Sequence, residues 1–202
     1  MLRICDIAPR VTVYPSGSAP PPVAEGWITL AQLPRAESSA VFGDGSHATT
    51  RLCATAVDML CRRRQSQAVL DVGTGTGILA RIARARGARL IVGTDIDPVA
   101  VSCAKAHADL DGHRVEIQFG SEAPDHWGAC FDLVVANILE APLQTLAPAL
   151  RRALVPGGIL LISGFTRLQI PALRVAYENA GLTYIDHFGL NEWAALKLAS
   201  NW

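Results

Sequence analysis

The sequence predicts an α/β fold built on a Rossmann-like, doubly wound sheet. Three observations support this. Short apolar segments alternate with helical segments from about residue 46 onward, a glycine-rich loop follows the first apolar segment, and only a short break at residues 189–191 lies between the last two strands. Strands that are apolar throughout are typical of a parallel sheet covered on both faces. The short break at 189–191 predicts an antiparallel hairpin, so we expect a seven-stranded sheet with an antiparallel C-terminal hairpin.

The first 40 residues differ from the rest of the chain. Residues 10–14 alternate like a short edge strand, the proline-rich residues 15–22 predict a loop, and residues 27–30 predict another short strand. Such a segment is too small to build a core of its own. We therefore expect residues 1–40 to form a short arm or lid, not an independent domain, and residues 41–202 to form the main domain.

The elements of the main domain follow from apolar periodicity and from helix start and stop signals. A first helix begins near Ser46, the predicted N-cap, and ends in the arginine-rich segment 62–64. Asp97 is a second predicted N-cap, because Pro98 fits the first turn of a helix. The sequence predicts strands at 68–72, 89–94, 115–119, 131–136, 159–163, 182–187 and 193–198, and further helices at 78–86, 98–109, 141–153 and 169–180.

Composition and charge argue against several classes of protein. Half of the residues are hydrophobic, 18% are charged and the formal net charge is zero, so we expect a compact globular chain with no strong nucleic-acid signal. The arginines at 62–64 and at 81, 84, 86 and 89 are expected on solvated helix faces and ends. No apolar run reaches the roughly 18 residues of a membrane span, and no signal peptide is evident. We expect a soluble, cytoplasmic protein, and the oligomeric state stays open.

Cysteines and histidines give no sign of a metal site. The five cysteines are odd in number and are never spaced as C-x-x-C, so neither a zinc site nor a disulfide framework is predicted. His107 and His113 have no partner at metal-binding spacing, and we expect both at the surface. No metal is therefore predicted.

The glycine-rich loop at residues 73–77 (G-T-G-T-G) follows a strand and opens a helix. A ligand can approach such a turn because glycine has no side chain, and the helix N-terminus favours an anionic group. A dinucleotide fingerprint would need glycine where this chain has Ile78, which makes an NAD-dependent dehydrogenase the least favoured interpretation. The G-x-G-x-G spacing after the acid Asp71 favours S-adenosylmethionine instead.

Acidic residues follow the next two strands. Asp95 comes 22 residues after Gly73, at the end of the second strand, where a carboxylate can accept hydrogen bonds from both ribose hydroxyls. Glu122 and Asp125 come after the third strand, where a side chain or a backbone amide could meet the adenine. The sequence does not decide between these two.

Asn137 ends the fourth strand, in the crevice outside the carboxyl ends of the strands where ligands bind. Methyl transfer is an in-line displacement, so the enzyme must hold a neutral nucleophile close to the methyl carbon. An asparagine carbonyl and nearby backbone carbonyls can accept hydrogen bonds from an amine and orient its lone pair. Asparagine at a strand end is also a common turn residue, and the position alone leaves both interpretations open.

Several of these segments together resemble one family. They are residues 41–50 (VFGDGSHATT), 69–80 (VLDVGTGTGILA), 93–98 (GTDIDP) and 134–139 (VVANIL), with Ser163-Gly164 and Glu192-Trp193. From about residue 40 to its end the chain resembles PrmA, the methyltransferases of large-subunit ribosomal protein eleven. The resemblance implies a class I methyltransferase that uses S-adenosylmethionine to methylate nitrogen.

The motifs and the resemblance together define a predicted site. The resemblance implies cofactor contacts at Thr50, Gly73, Asp95 and Asn137, with Asn137 also facing the incoming amine as the catalytic residue. The full set of predicted cofactor residues is Thr50, Asp71, Gly73, Gly75, Asp95, Ile96 and Asn137, and the predicted substrate-facing residues are Phe42, His47 and Glu140.

The chain also departs from the family pattern. Asp44, Ser46 and Ala48 replace two threonines and a proline, and Glu140 replaces the alanine after Asn-Ile-Leu. Asp44 and Glu140 either bring negative charge to the site of a cationic acceptor or are solvated loop acids. Members that act on the ribosomal protein carry a recognition domain before this block, whereas 40 residues precede it here. We therefore expect the catalytic domain to match the family, whereas the way in which the acceptor is recognised is expected to differ.

Three functions compete at this stage. The leading one is N-methylation of an amine of a protein or peptide. A second keeps the cofactor but has a small-molecule acceptor, over which the arm and Trp27 would close as a lid. A third is a cofactor-binding module without catalysis, against which the intact glycine loop and Asn137 argue.

Overall fold

A computed structural model describes residues 5–33, 41–63, 68–112 and 116–201 of the chain. Within these ranges the strands form two sheets, one of three strands and one of seven. The strands are β1 (Cys5–Ala8), β2 (Val11–Pro15), β3 (Ile28–Gln32), β4 (Ala68–Val72), β5 (Leu90–Thr94), β6 (Gln118–Gly120), β7 (Phe131–Asn137), β8 (Leu154–Thr166), β9 (Leu182–Leu190) and β10 (Trp193–Ser200). The helices are α1 (Ala48–Arg63), α2 (Ile78–Ala85), α3 (Pro98–Leu110), α4 (Glu140–Ala153) and α5 (Ile170–Asn179).

The seven-stranded sheet has the order β6-β5-β4-β7-β8-β10-β9. The first five of these strands pair in parallel, while β10 pairs antiparallel with both β8 and β9. The fold class predicted from the sequence is therefore confirmed, including the antiparallel C-terminal hairpin. The strand order reverses at β4, so the carboxyl ends of β4, β5 and β7 meet at the crevice where open α/β sheets bind ligands.

Strand β7 shows why the central residues of these strands are apolar on both faces. Its side chains point alternately to the two faces of the sheet. Leu133 and Val135 join the core on the side of α1 and α2, while Val134 and Ala136 join the core on the side of α4 and α5. A strand covered on both faces has no solvent side that would require polar alternation.

The three-stranded sheet packs on the same core. Strand β1 is antiparallel to β2, and β2 is parallel to β3. Ile7, Val11, Val13 and Leu30 of this sheet are buried in one cluster with side chains of α1 and α2. Strand β1 was not predicted from the sequence, because four residues are too few to establish a period.

Arg81 of α2 is fully buried, so the prediction of a solvated helix face is wrong for this residue. Its Nε atom donates to Asp111 at 2.6 Å, and its other nitrogens donate to the Gln32 side chain and to the Ala31 carbonyl. The Ala31 amide in turn donates to Asp111. Arg81 thus fixes β3 to the main domain through charge-assisted hydrogen bonds, a long-range role that a helical pattern cannot reveal.

Two further polar residues also differ from expectation. Arg86 is nearly buried, since its side chain is 8% exposed and pairs with Asp58 at 2.5 Å. His107 is buried instead of lying at the surface: its Nε2 accepts a hydrogen bond from the Leu33 amide at 3.1 Å, and its Nδ1 lies 2.9 Å from the Cys103 carbonyl oxygen. His113 lies outside the described residues.

Some element boundaries move as well. Helix α1 begins after His47 and not after Ser46, because the His47 carbonyl accepts from the Arg51 amide and its Nδ1 accepts from the Thr49 amide. The third strand of the main domain is 118–120 instead of 115–119, and residue 115 lies outside the described part. Strand β8 starts at Leu154 and continues through the predicted break at 156–158. Strand β9 extends to Leu190, and the hairpin turns at 191–192, with Asn191 at a φ of 56°.

None of the described helices is both long enough and apolar enough to cross a membrane.

Candidate functional site

The glycine loop joins β4 to α2 at the carboxyl edge of the sheet. Gly73, Gly75 and Gly77 all have positive φ, at 69°, 55° and 75°, which side-chain-bearing residues rarely adopt. The loop is held from beneath because the amides of Gly73 and Thr74 both donate to the Thr94 carbonyl, at 2.8 and 2.9 Å. The backbone conformation of the loop therefore requires the alternating glycines.

Asp71 lies in the core directly before this loop. Its Oδ2 accepts hydrogen bonds from the Thr74 hydroxyl at 2.7 Å and from the Ala80 amide at 3.3 Å. Its Oδ1 is buried and has no partner among the described residues. Burial raises the pKa of Asp71 to about 6, although the bonds from Thr74 and Ala80 act in the opposite direction.

Asp95 follows β5 and faces the glycine loop. Its Oδ2 accepts from the Gly75 amide at 3.0 Å, and its Oδ1 accepts from the Asp97 amide at 3.0 Å. Asp97 is the N-cap of α3, because its carboxylate accepts from the Val99 amide at 2.8 Å, and the capping prediction is confirmed. Between the two acids, Ile96 projects into solvent with 96% of its surface exposed.

The two acids after β6 lie in different environments. Glu122 lies over the carboxyl end of β6, since a Cβ atom at Gly120 would collide with its carboxylate. Asp125 instead forms an ion pair with Arg152 at 2.6 Å, near the end of α4 and the start of β8. Hydrogen bonding by Arg152 lowers the pKa of Asp125. The structure therefore leaves Glu122 at the crevice and removes Asp125 from it, a choice that the sequence could not make.

Asn137 is the last residue of β7, and the chain then turns sharply. The Ile138 amide donates to the Ser163 carbonyl at 3.1 Å, and a Cβ atom at Gly73 would collide with the Ile138 side chain. Gly164 lies equally close to the Ile138 backbone. This packing brings Asn137 to the glycine loop, and the buried Oδ1 of Asn137 has no partner among the described residues.

The segment 41–50 crosses over the glycine loop. The Phe42 carbonyl accepts from the Thr76 amide at 3.0 Å, while 53% of Phe42 is exposed. The Phe42 and His47 ring centroids are 5.3 Å apart, and those of His47 and Trp193 are 4.7 Å apart. Thr50 is buried in the first turn of α1, and its hydroxyl has no partner among the described residues.

The two acids that distinguish this chain from the family pattern both have local partners. Asp44 accepts hydrogen bonds from the Ser46 amide at 2.9 Å and from the Ser46 hydroxyl at 2.6 Å. Glu140 opens helix α4, where a negative side chain is favourable, and accepts from the Gln144 side chain. Each acid thus stabilises its own loop or helix start.

The structure brings all ten predicted cofactor and substrate residues to one edge of the sheet. These are Phe42, His47, Thr50, Asp71, Gly73, Gly75, Asp95, Ile96, Asn137 and Glu140. Sequence reasoning did not assign Trp193 or Ile138 to the site. Trp193 could have been found because it belongs to a segment that resembles the family. Ile138 could have been found because both positions that it packs against, 73 and 164, are glycines. In the described ranges no group of three or more histidine, cysteine or acidic side chains is arranged to hold a metal ion.

Comparisons with known proteins agree on one family. The family model described as ribosomal protein L11 methyltransferase (PrmA) matches residues 5–201. The ribosomal protein L11 methyltransferase of Caulobacter sp. (strain K31) is 40% identical over 167 residues, which are 81% of this chain and 58% of the relative. That of Syntrophotalea carbinolica is 37% identical over 192 residues, 94% of this chain and 61% of the relative. The chain therefore spans about three-fifths of the length of these curated relatives.

A solved structure agrees as well. The crystal structure of a ribosomal protein L11 methylase from Lactobacillus delbrueckii subsp. bulgaricus superposes with a TM-score of 0.84 at 26% identity, covering 100% of both chains. The superposition thus extends over the N-terminal three-stranded sheet as well as the main sheet.

Proposed function

We propose that this chain, which belongs to the family of ribosomal protein L11 methyltransferases (PrmA), uses S-adenosylmethionine to methylate an amine nitrogen of a protein or peptide. Its amine acceptor is proposed to be a ribosomal protein L11, which the relatives carry in their names. A ribosomal-protein acceptor would place the reaction in the cytoplasm.

The observation that carries this proposal is a set of oxygens without partners at the carboxyl edge of the sheet. Among the described residues four buried side-chain atoms lack a hydrogen-bond partner, and three of them are Thr50 Oγ1, Asp71 Oδ1 and Asn137 Oδ1. A buried polar atom that stays unpaired is unfavourable by about 1–3 kcal/mol. All three can accept hydrogen bonds, so they suit a ligand that presents ammonium and hydroxyl donors, as S-adenosylmethionine does.

The other residues at this edge suit the remaining parts of the same cofactor. Asp95 is already oriented by two backbone amides, and its remaining lone pairs can accept from the ribose hydroxyls. Exposed Ile96 offers an apolar surface to the adenine ring, and Glu122 lies close to the end of β6. S-adenosylmethionine supplies an electrophilic methyl group when it is bound. The chain's own contribution is to position that cofactor and to exclude water.

Asn137 is proposed to hold the acceptor. Its unpaired Oδ1 can accept a hydrogen bond from a neutral amine and so direct the nitrogen lone pair. The aromatic rings of Phe42, His47 and Trp193 lie over the same edge and would flank an aliphatic amine side chain. Glu140, whose side chain accepts from Gln144, adds negative charge close to Asn137. This charge would attract a cationic acceptor as it approaches the site.

We further propose that residues 1–40 act as a cover on the domain formed by residues 41–202 and not as a separate domain. Two contacts in the described part support this: the buried cluster shared with α1, and the hydrogen bonds of Arg81 to Gln32 and Ala31.

Labelled methyl transfer tests the proposal directly. The purified chain would be incubated with S-adenosylmethionine carrying a labelled methyl group and with ribosomal protein L11 of the source cell. A second reaction would contain a lysate fractionated into proteins, nucleic acids and small molecules. We expect label in an amine of L11. Label only in the small-molecule fraction would contradict a protein acceptor. Calorimetric titration with S-adenosylhomocysteine tests the cofactor assignment, which an absence of binding would contradict.

A further inference from the structure

The glycine loop has two threonines with opposite orientations. The hydroxyl of Thr74 points into the sheet and donates to Asp71. The hydroxyl of Thr76 points the other way and donates to the Gly43 carbonyl at 2.6 Å, while the Thr76 amide donates to the Phe42 carbonyl at 3.0 Å. Thr76 therefore binds two successive carbonyls of the segment that crosses the loop.

The fit around this double contact is close. Gly43 has a φ of 106°, and a Cβ atom there would lie 3.0 Å from the Thr76 hydroxyl. A Cβ atom at Gly75 would collide with the Phe42 carbonyl oxygen. Side chains are thus absent from both facing segments where they approach each other. Thr76, of which 1% is exposed, is enclosed between them.

The contact links the two halves of the candidate site. On one side, the Gly75 amide donates to Asp95, which is proposed to bind the ribose. On the other side, the Phe42 ring contacts His47, whose ring contacts Trp193. Thr76 stands between them, because it is adjacent to Gly75 in the chain and hydrogen-bonded to Phe42.

We infer that Thr76 is a positioning residue, which fixes the segment 42–47 on the glycine loop and so couples binding of the cofactor to the position of the acceptor-side rings. This inference rests on the proposed function for its consequence in catalysis. The side chain of Thr76 is enclosed between the loop and the segment that crosses it, where its hydroxyl donates to Gly43, so it acts through Phe42 and His47 instead of touching either substrate.

Thr76→Val tests the inference, because valine keeps the shape but removes the donor to Gly43. In this variant we expect the amides of residues 42–47 to exchange hydrogen about fivefold to tenfold faster than in the wild type, which corresponds to the loss of one neutral hydrogen bond. We expect S-adenosylhomocysteine to slow that exchange in the wild type but not in the variant. The KM for ribosomal protein L11 should rise by a similar factor, while the Kd for S-adenosylhomocysteine changes less than about threefold. Thr76→Ser, which keeps the hydroxyl, should have the exchange rates and the KM of the wild type.

Thr55→Val is the matched control, since the Thr55 hydroxyl bonds a carbonyl within α1 on the exposed face of that helix. It should leave exchange and KM unchanged. Unchanged exchange in Thr76→Val, or a Thr76→Ser protein that behaves like it, would overturn the inference. A parallel loss of cofactor affinity would also overturn it, because Thr76 would then act on the cofactor. If the wild type bound no S-adenosylhomocysteine, the proposed function would fail, whereas exchange in the ligand-free protein would still decide whether Thr76 holds the segment.

Discussion

The carboxylate of Asp95 accepts a hydrogen bond from the amide of Gly75 at 3.0 Å. The end of β5 is thereby joined to the middle of the glycine loop. Its second oxygen accepts from the Asp97 amide, so the carboxylate is oriented before any ligand arrives. A preoriented acceptor loses little conformational entropy on binding, which makes Asp95 the first residue to test.

Asp95→Ala should weaken binding of S-adenosylhomocysteine by about 1–3 kcal/mol, because two ribose hydroxyls would lose their acceptor in a partly enclosed site. Isothermal titration calorimetry measures this change. Asp97→Ala is the control: it removes the N-cap of α3 and should lower the free energy of unfolding by about 1 kcal/mol without changing the cofactor affinity. Equal affinity in Asp95→Ala and the wild type would remove Asp95 from the site.

Asn137→Ala should lower turnover far more than cofactor affinity. The variant removes the acceptor that orients the amine, and the loss of one such group lowers kcat on the order of 100-fold or more. Methyl transfer to ribosomal protein L11 and calorimetry with S-adenosylhomocysteine separate the two effects. Asn179→Ala, at the exposed end of α5, should leave both unchanged. A fully active Asn137→Ala protein would show that the acceptor is held elsewhere.

Thr50→Val should stabilise the ligand-free protein while weakening its binding of cofactor. The Thr50 hydroxyl is buried without a partner, so a methyl group of the same size removes an unsatisfied polar atom and should raise the free energy of unfolding by about 1 kcal/mol. Denaturant titration measures stability, and calorimetry measures affinity. Thr145→Val, on the exposed surface of α4, should do neither. A destabilised Thr50→Val protein would mean that the hydroxyl has a partner in the folded chain.

Asp71 should make the ligand-free protein more stable in mild acid. Burial raises its folded-state pKa to about 6 from the usual 3.8, so between these values the folded chain holds a proton that the unfolded chain releases. The contribution of this group to the free energy of unfolding is present below pH 4 and is lost as pH rises through 6. It amounts to about 3 kcal/mol. Asp71→Asn, which can still accept from Thr74 and Ala80, should remove that part of the pH dependence. An identical stability profile for wild type and variant would contradict the raised pKa.

His107 should act in the opposite direction over nearly the same range. Burial, and then the charge of Arg81, lower its folded-state pKa to about 4 from 6.5. Its contribution is present above pH 6.5 and is lost as pH falls through 4, again by about 3 kcal/mol. A protonated ring cannot accept from the Leu33 amide, so the protection factor of that amide against hydrogen exchange should fall in acid. In His107→Gln the acid loss should disappear, leaving a profile in which stability falls from pH 4 to pH 6 through Asp71. Retention of the acid loss in that variant would assign it to another group.

The sequence indicated the fold because its signals are local. Strand β4 was predicted with its observed bounds, since an apolar run that ends in glycine has few alternative structures. The Asp97 cap was likewise predicted from its neighbour Pro98. Predictions were wrong for Arg81 and His107, because both are polar residues whose partners Asp111 and Leu33 come from distant segments. Burial of a polar side chain depends on such partners, and no periodicity reveals them.

The sequence by itself determined the alternation of strands and helices, the positive-φ glycines of the loop, and the identity of the polar residues that end β4, β5 and β7. These depend on backbone sterics and on burial of apolar faces, which act over a few residues. Only the tertiary structure decided that Glu122 and not Asp125 stays at the crevice, that Trp193 joins His47, and that Thr76 binds the Phe42–Gly43 carbonyls. The contacts of Trp193 with His47 and of Thr76 with Phe42 and Gly43 join residues far apart in the chain, so they exist only once the sheet, the glycine loop and the segment 41–50 have packed together.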